Sequence, residues 1–229
     1  LQSWMTSVIG NNALGAALAE GPDIDGDGVK DIVAGMPRAN ASAGALRVFS
    51  GVNGAQLRSW TAPVPGRTGA AVSVLPDLNG DGREELAVAS ESAVTVRMAG
   101  IFVNGAVDIL STAGTSLTLL HHIVHPATPF HSIDSVGMSV GLLTDVTGDG
   151  VADLGIGAIG GRSGFVPAGG GGGSPGVRIS GLLDICDPVS GSITRTIFGM
   201  GKNSEFGRSL ARIGDCGDTA QRDGVQDIA

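Results

Sequence analysis

DIDGDGVKD, from Asp23 to Asp31, decides how this chain is read. Three acids alternate with small or apolar residues, two glycines permit a tight bend, and a fourth acid closes the stretch. The pattern returns as DLNGDGREE from Asp77 to Glu85 and DVTGDGVAD from Asp145 to Asp153. A longer version, DCGDTAQRDGVQD, runs from Asp215 to Asp227. The copies start at 23, 77, 145 and 215, spacings of 54, 68 and 70 residues. A fixed period of this length marks a repeat architecture.

Similarity extends outward on both sides of each loop. Upstream lie LGAALAEGP from Leu14, TGAAVSVLP from Thr68, VGMSVGLLT from Val136 and FGRSLARIG from Phe206, each beginning with X-Gly. Downstream come DIVAG, ELAVA, DLGIG and a final DIA, short apolar segments of strand type. GALRVFSG at Gly44, GAVDILST at Gly105 and GLLDICDP at Gly181 align as a third strand. NGAQLRSW from Asn53, GTSLTLL from Gly114 and GSITRTI from Gly191 align as a fourth, and Asn53-Gly54 predicts a two-residue hairpin turn. Four antiparallel strands are the content of one propeller blade.

The fold expected is therefore all-β, a β-propeller built from four-stranded antiparallel blades. Residues 14–67, 68–135 and 136–205 form three complete blades, flanked by partial blades at 1–13 and 206–229. Leu1, Ser3 and Trp4 match Leu57, Ser59 and Trp60, the last strand of a blade. Propellers close with about 4–8 blades, so the chain reads as a window of a larger propeller.

Composition agrees. Gly supplies 39 of 229 residues, more than twice the ordinary share of about 7%, which leaves few uninterrupted helical patterns. Tyr is absent, and the core is expected from Val, Leu, Ile and Ala. No apolar run approaches the roughly 20 residues of a membrane-spanning helix. The net charge of −8 argues against nucleic acid. Most of the 22 acidic residues fall in the four loops, on a mildly basic remainder.

Carboxylates crowded at fixed spacing repel unless a cation joins them. Calcium takes 6–8 oxygen ligands from flexible loops. Asp23, Asp25, Asp27, the Val29 carbonyl and Asp31 form the first expected ligand set. Asp77, Asn79, Asp81, the Arg83 carbonyl and Glu85 form the second, and Asp145, Thr147, Asp149, the Val151 carbonyl and Asp153 the third. A fourth set draws on Asp223, Val225 and Asp227 with Asp215 or Asp218. An EF-hand needs a Glu at position 12 and flanking helices; here position 12 is Ala34, Val88 and Ile156. The loops are expected to order and stabilise their blades on binding.

The sequence resembles the FG-GAP repeat family, which includes the propeller of integrin α-subunits. The loops carry the resemblance; Phe206-Gly207 is a literal FG, and Gly35-Met36-Pro37 approaches GAP. That resemblance implies a seven-bladed propeller with calcium between first and second strands and ligand contacts on the opposite face. It implies an adhesion, recognition or structural role outside the cytoplasm, with a protein or carbohydrate partner. An accessory propeller beside a secreted enzyme, such as a polysaccharide-degrading one, is the rival reading. A filament whose terminal blades are completed by neighbouring copies is the third.

The clustered carboxylates are already explained by metal ligation, so no catalysis is expected. Ser90 to Asn104 and Gly160 to Gly176, with its GGGGGSPG run, read as long loops on the face away from the acidic ones. The four histidines lie in HHIVHPATPFH, as His121, His122, His125 and His131. With no acidic partner adjacent in sequence, they read as a polar strand end, a transition-metal site being the alternative. On a strand, His121 and His125 share a face and His122 points away. Asn40-Ala41-Ser42 is an N-glycosylation sequon, and Cys186 and Cys216 either bridge neighbouring blades or stay as thiols.

Overall fold

A computed structural model describes residues 12–98, 101–126, 131–159, 161–163, 178–179, 181–200 and 205–211. Short apolar segments alternating with Gly-rich turns make strands rather than helices. The first four are β1 (Leu18–Glu20), β2 (Ile32–Gly35), β3 (Leu46–Phe49) and β4 (Gln56–Trp60), paired antiparallel in that order. The second unit repeats the order with β5 (Thr68–Leu75), β6 (Glu85–Met98), β7 (Ile101–Ser111) and β8 (Thr118–Ile123). In the third, β9 (His131–Leu142), β10 (Leu154–Ala158), β13 (Leu182–Asp187) and β14 (Ser192–Phe198) do the same. Between β10 and β13 two short strands, β11 (Gly161–Ser163) and β12 (Arg178–Ile179), form a ribbon. These are all-β, four-stranded propeller blades, and the sheets do not close on themselves.

Two departures from the sequence reading concern connections. Ser90 to Asn104 is no loop: β6 and β7 continue through it as a long hairpin, paired as far as Met98↔Ile101. β9 starts early enough to run parallel to β7, with Val103 opposite Ile133 and Gly105 opposite Val136, which fuses the second and third units into one ten-stranded sheet. Alternation of Val with polar residues over 94–98 suits a strand, and the loop reading overlooked it. The Gly-rich run 164–177 lies outside the described residues.

The Asn53-Gly54 turn is also longer than two residues. Ser50 N–H donates to Ala55 O at 2.8 Å, and Gly54 N–H to Ser50 O at 2.9 Å. Asn53 uses its side chain to accept from Ala55 N–H at 2.8 Å, so it acts as an Asx residue within a wider turn.

Strand side chains alternate between faces, and here each face is buried against a different blade. Leu86, Val88 and Leu110 point back to Ile24, Val33, Leu46 and Val48 of the first blade, with Leu57 and Trp60 at the margin. Ala87, Ala89, Val107 and Ile109 point forward to Val136, Leu154, Ile156, Ala158 and Leu182 of the third. Full burial of a Leu or Val side chain contributes about 1.5–3 kcal/mol, so these two seams hold the blades in sequence.

The X-Gly motif has its origin at the same seams. Gly69 has φ of +87°, and its Cα lies against the backbone of Gly35 and Met36; a Cβ on Gly35 would meet Gly69 O at 2.0 Å. Gly207 and Gly157 repeat that contact between the third blade and the next, where a Cβ on Gly157 would meet Gly207 O at 1.9 Å. Blades thus approach backbone to backbone.

The first blade has one face not covered in this way. Leu14, Leu18, Ile32, Ala34 and Phe49 line an apolar groove of about 170 Å³, and Leu18 is 64% exposed. Ile32, Ala34 and Phe49 occupy the repeat positions of Leu86, Val88 and Leu110.

Candidate functional site: three acidic loops

Each acidic loop joins the first strand of a blade to its second. One carboxylate organises each. In the first loop Asp23 Oδ1 accepts from Gly26 N–H at 2.7 Å and Asp27 N–H at 3.1 Å, while Oδ2 accepts from Gly28 N–H at 2.8 Å. Asp77 accepts from Gly80, Asp81 and Gly82 at 2.7, 3.2 and 2.7 Å. Asp145 accepts from Gly148, Asp149 and Gly150 at 2.5, 3.1 and 2.7 Å. The donor at the fifth residue on, Gly28, Gly82 or Gly150, is the main reason each carboxyl is held below the usual range. Gly28, with φ of +86°, allows the backbone to curl round the carboxylate.

The acid at position 5 turns the chain out of the bend. Asp27, Asp81 and Asp149 each accept from the N–H two residues on, that of Val29, Arg83 or Val151, at 2.9 Å. Position 9 ties the loop to the strands. Asp31, fully buried, accepts from Ile24 N–H at 2.7 Å and, across the blade, from Gly51 N–H at 3.1 Å. Glu85 accepts from Leu78 N–H and Asn79 Nδ2, and Asp153 from Val146 N–H, Thr147 N–H and Thr147 Oγ1.

The acids converge. Asp23, Asp25 and Asp27 bring carboxylate oxygens within 4.8 Å of one another, as do Asp77, Asp81 and Glu85. Glu85 joins its cluster because its extra methylene reaches inward, whereas Asp31 stays on its backbone partners. Among the described residues no third cluster of that kind forms, since Thr147 replaces an acid and Asp153 is short. Desolvation, then neighbouring carboxylates, push Asp25 up; burial does so for Glu85, with Asp81 and Asp77 adding to it. Such frustration in a hard-oxygen cluster suits a divalent cation. Asp215, Asp218, Asp223, Val225 and Asp227 lie outside the described residues.

Neighbouring loops touch. Arg83 Nη1 donates to Asp23 O at 3.4 Å, and Lys30 pairs with Glu84. Third-strand ends reach the loops as well: Ser111 Oγ donates to Asp81 Oδ2 at 3.3 Å, and Thr112 Oγ1 to Glu84 O at 2.8 Å. Strands flank every loop, and Ala34, Val88 and Ile156 are buried within them. That geometry excludes an EF-hand.

The FG-GAP-like repeat family matches residues 23–88, which span the first two loops and the blade between them. That stretch carries an FG-GAP-like repeat. The chain is also similar to integrin alpha-PS2 of Drosophila melanogaster, 29% identical over 153 residues. The aligned part is 66% of this chain and 11% of that protein.

Two acids escaped the sequence reading. Asp108 on β7 and Asp184 on β13 are buried, and they are the partners that the histidines lack locally. His122 Nδ1 lies 2.6 Å from Asp108 Oδ1, and His125 Nδ1 lies 2.6 Å from Asp184 Oδ2. His125 is 3% exposed, so a solvent-facing polar strand end does not describe it. The available signal was an acid at the same position of two otherwise apolar third strands, GAVDIL and GLLDIC. Cys186 is buried on β13 and burial pushes its thiol up to about 12; Cys216 lies outside the described residues. Asn40 sits exposed in a left-handed turn, with φ of +51°.

Proposed function

We propose that this chain is a calcium-binding, non-catalytic propeller module of an extracellular or cell-surface protein, serving adhesion, recognition or structural assembly. The observation that carries the reading is the thrice-repeated loop, in which one carboxylate gathers three backbone N–H groups at its rear. With its first carboxylate so engaged, the loop turns its remaining oxygen ligands towards a cation. Asp23, Asp25, Asp27 and Asp31 hold the first ion with the Val29 carbonyl. Asp77, Asn79, Asp81 and Glu85 with the Arg83 carbonyl hold the second, and Asp145, Thr147, Asp149 and Asp153 with the Val151 carbonyl the third. Asp215, Asp218, Asp223, Val225 and Asp227 supply a fourth set. Calcium neutralises the clustered charge and fixes the loop against the third strand.

The blades run 14–67, 68–135 and 136–205, with partial ones at 1–13 and 206–229, and belong to a larger closed propeller. A protein or carbohydrate partner is placed on the face away from the loops, where the β6–β7 hairpin emerges. Calorimetric titration of calcium into the stripped chain tests the reading. The first three loops are expected to give three tight sites, reduced to two by Asp27→Ala. Absence of calcium-dependent heat, with an unchanged melting temperature in EDTA, overturns it.

A further inference from the structure

The HHIVH segment, residues 121–125, meets the third blade directly and the first blade through Asp108. His125, almost wholly buried, places Nδ1 2.6 Å from Asp184 Oδ2 on β13 of the third blade. The other oxygen of Asp184 accepts from Thr196 Oγ1 of β14 at 2.6 Å. Three residues earlier, His122 places Nδ1 2.6 Å from Asp108 Oδ1 of its own blade. Trp60 Nε1, from β4 of the first blade, approaches Asp108 Oδ2 to 3.5 Å. His121 lies over the third blade's β13–β14 turn: a Cβ at Gly191 would meet its ring at 2.8 Å. There it feels the charge of Asp187.

Two buried carboxylates on equivalent third strands are thus each met by a histidine from one short segment. A buried carboxylate without a partner is costly, and an imidazole is the side chain that changes charge near neutral pH. The titratable groups facing the three rings, among the described residues, are Asp108 on β7 and Asp184, Cys186 and Asp187 on β13. β4 and β14 bring Trp60 and Thr196, which do not titrate in this range. The Cys186 thiol, pushed up to about 12, stays protonated.

We propose that His122 and Asp108 form a proton-dependent clasp, which fastens the second blade to Trp60 of the first as the His122 ring takes up a proton. The hydrogen bond to Asp108 raises the His122 ring above its ordinary value. A group raised on folding stabilises fully below its unfolded pKa, and that stability is lost as pH rises through the folded value. The clasp therefore slackens on the alkaline side of neutrality and tightens in mildly acidic surroundings.

Urea unfolding of the whole chain in excess calcium, between about pH 6.5 and 8.5, tests this. The unfolding constant is expected to rise with pH, by up to about tenfold per pH unit for each linked proton. H122Q should remove most of that slope, and H125Q and H131Q serve as controls for the other histidines. A wild-type slope of zero overturns the clasp, and so does a slope that survives intact in H122Q. If H125Q fails to fold, those two measurements still decide. Calcium titration of H122Q is expected to match the wild type, which separates this outcome from a failure of the calcium loops.

Discussion

Lys30 Nζ of the first acidic loop lies 2.6 Å from Glu84 Oε2 of the second, an ion pair that spans two blades. Both side chains are partly exposed, at 49% and 39%. Glu84 raises the Lys30 ammonium by accepting its hydrogen bond, and its carbonyl is separately held by Thr112. The third loop has Val151 and Ala152 at the corresponding positions and offers no such brace.

Exposed pairs contribute little, about 0.2–1 kcal/mol. A double-mutant cycle on Lys30→Ala and Glu84→Ala should return a coupling in that range, shrinking as salt is added. A coupling of several kcal/mol would mean that the two loops are locked together far more firmly than one surface contact allows.

Asp31→Ala is the more severe change. It strands the amides of Ile24 and Gly51, whose acceptor is this buried carboxylate. Each unsatisfied group costs about 1–3 kcal/mol. Chemical unfolding in EDTA, where no cation shares the loss, should show a drop of that order. Asp25→Ala, at an exposed position, should leave stability in EDTA unchanged or raise it by relieving repulsion.

Gly69→Ala tests the contact between blades. With φ of +87° and Ala45 O at 2.5 Å from an added Cβ, the substitution strains the backbone and pushes the seam apart. Strain of this type costs about 1–3 kcal/mol before the clash is counted. Gly80→Ala has a similar φ, +78°, and open space around it. Its melting temperature should fall by less, and equal losses would show that conformation alone explains the X-Gly motif.

Cys186 should resist alkylation in the folded chain, because only the thiolate reacts and burial holds this thiol at about 12. Peptide-resolved labelling at pH 8 should find Cys186 modified only after denaturant is added. Rapid modification under native conditions would place the third blade's core in contact with solvent.

Most of the blade was legible because its signals are local. Strand 2 of each unit read correctly from DIVAG, ELAVA and DLGIG, since after the leading acid every residue in them is small or apolar. The acidic loops were legible for the opposite reason: three carboxylates around two glycines have few other uses. What failed depended on distant partners. His125 looked polar and exposed until Asp184, 59 residues away, supplied its bond. The β6–β7 hairpin looked like a loop because its pairing with β9 arises only when blades two and three meet. Asn53-Gly54 misled in a smaller way, since the pair sits in the turn but does not constitute it.

The row Ile32, Ala34 and Phe49 has a further meaning. Repeat arrays end where a terminal unit presents a polar outer surface, and the first blade presents Leu14 and Leu18 instead. Among the described residues nothing on this face acts as such a cap. A purified fragment with that row bare should become sticky in proportion to its concentration, a solubility problem that a single Leu18→Lys change ought to ease.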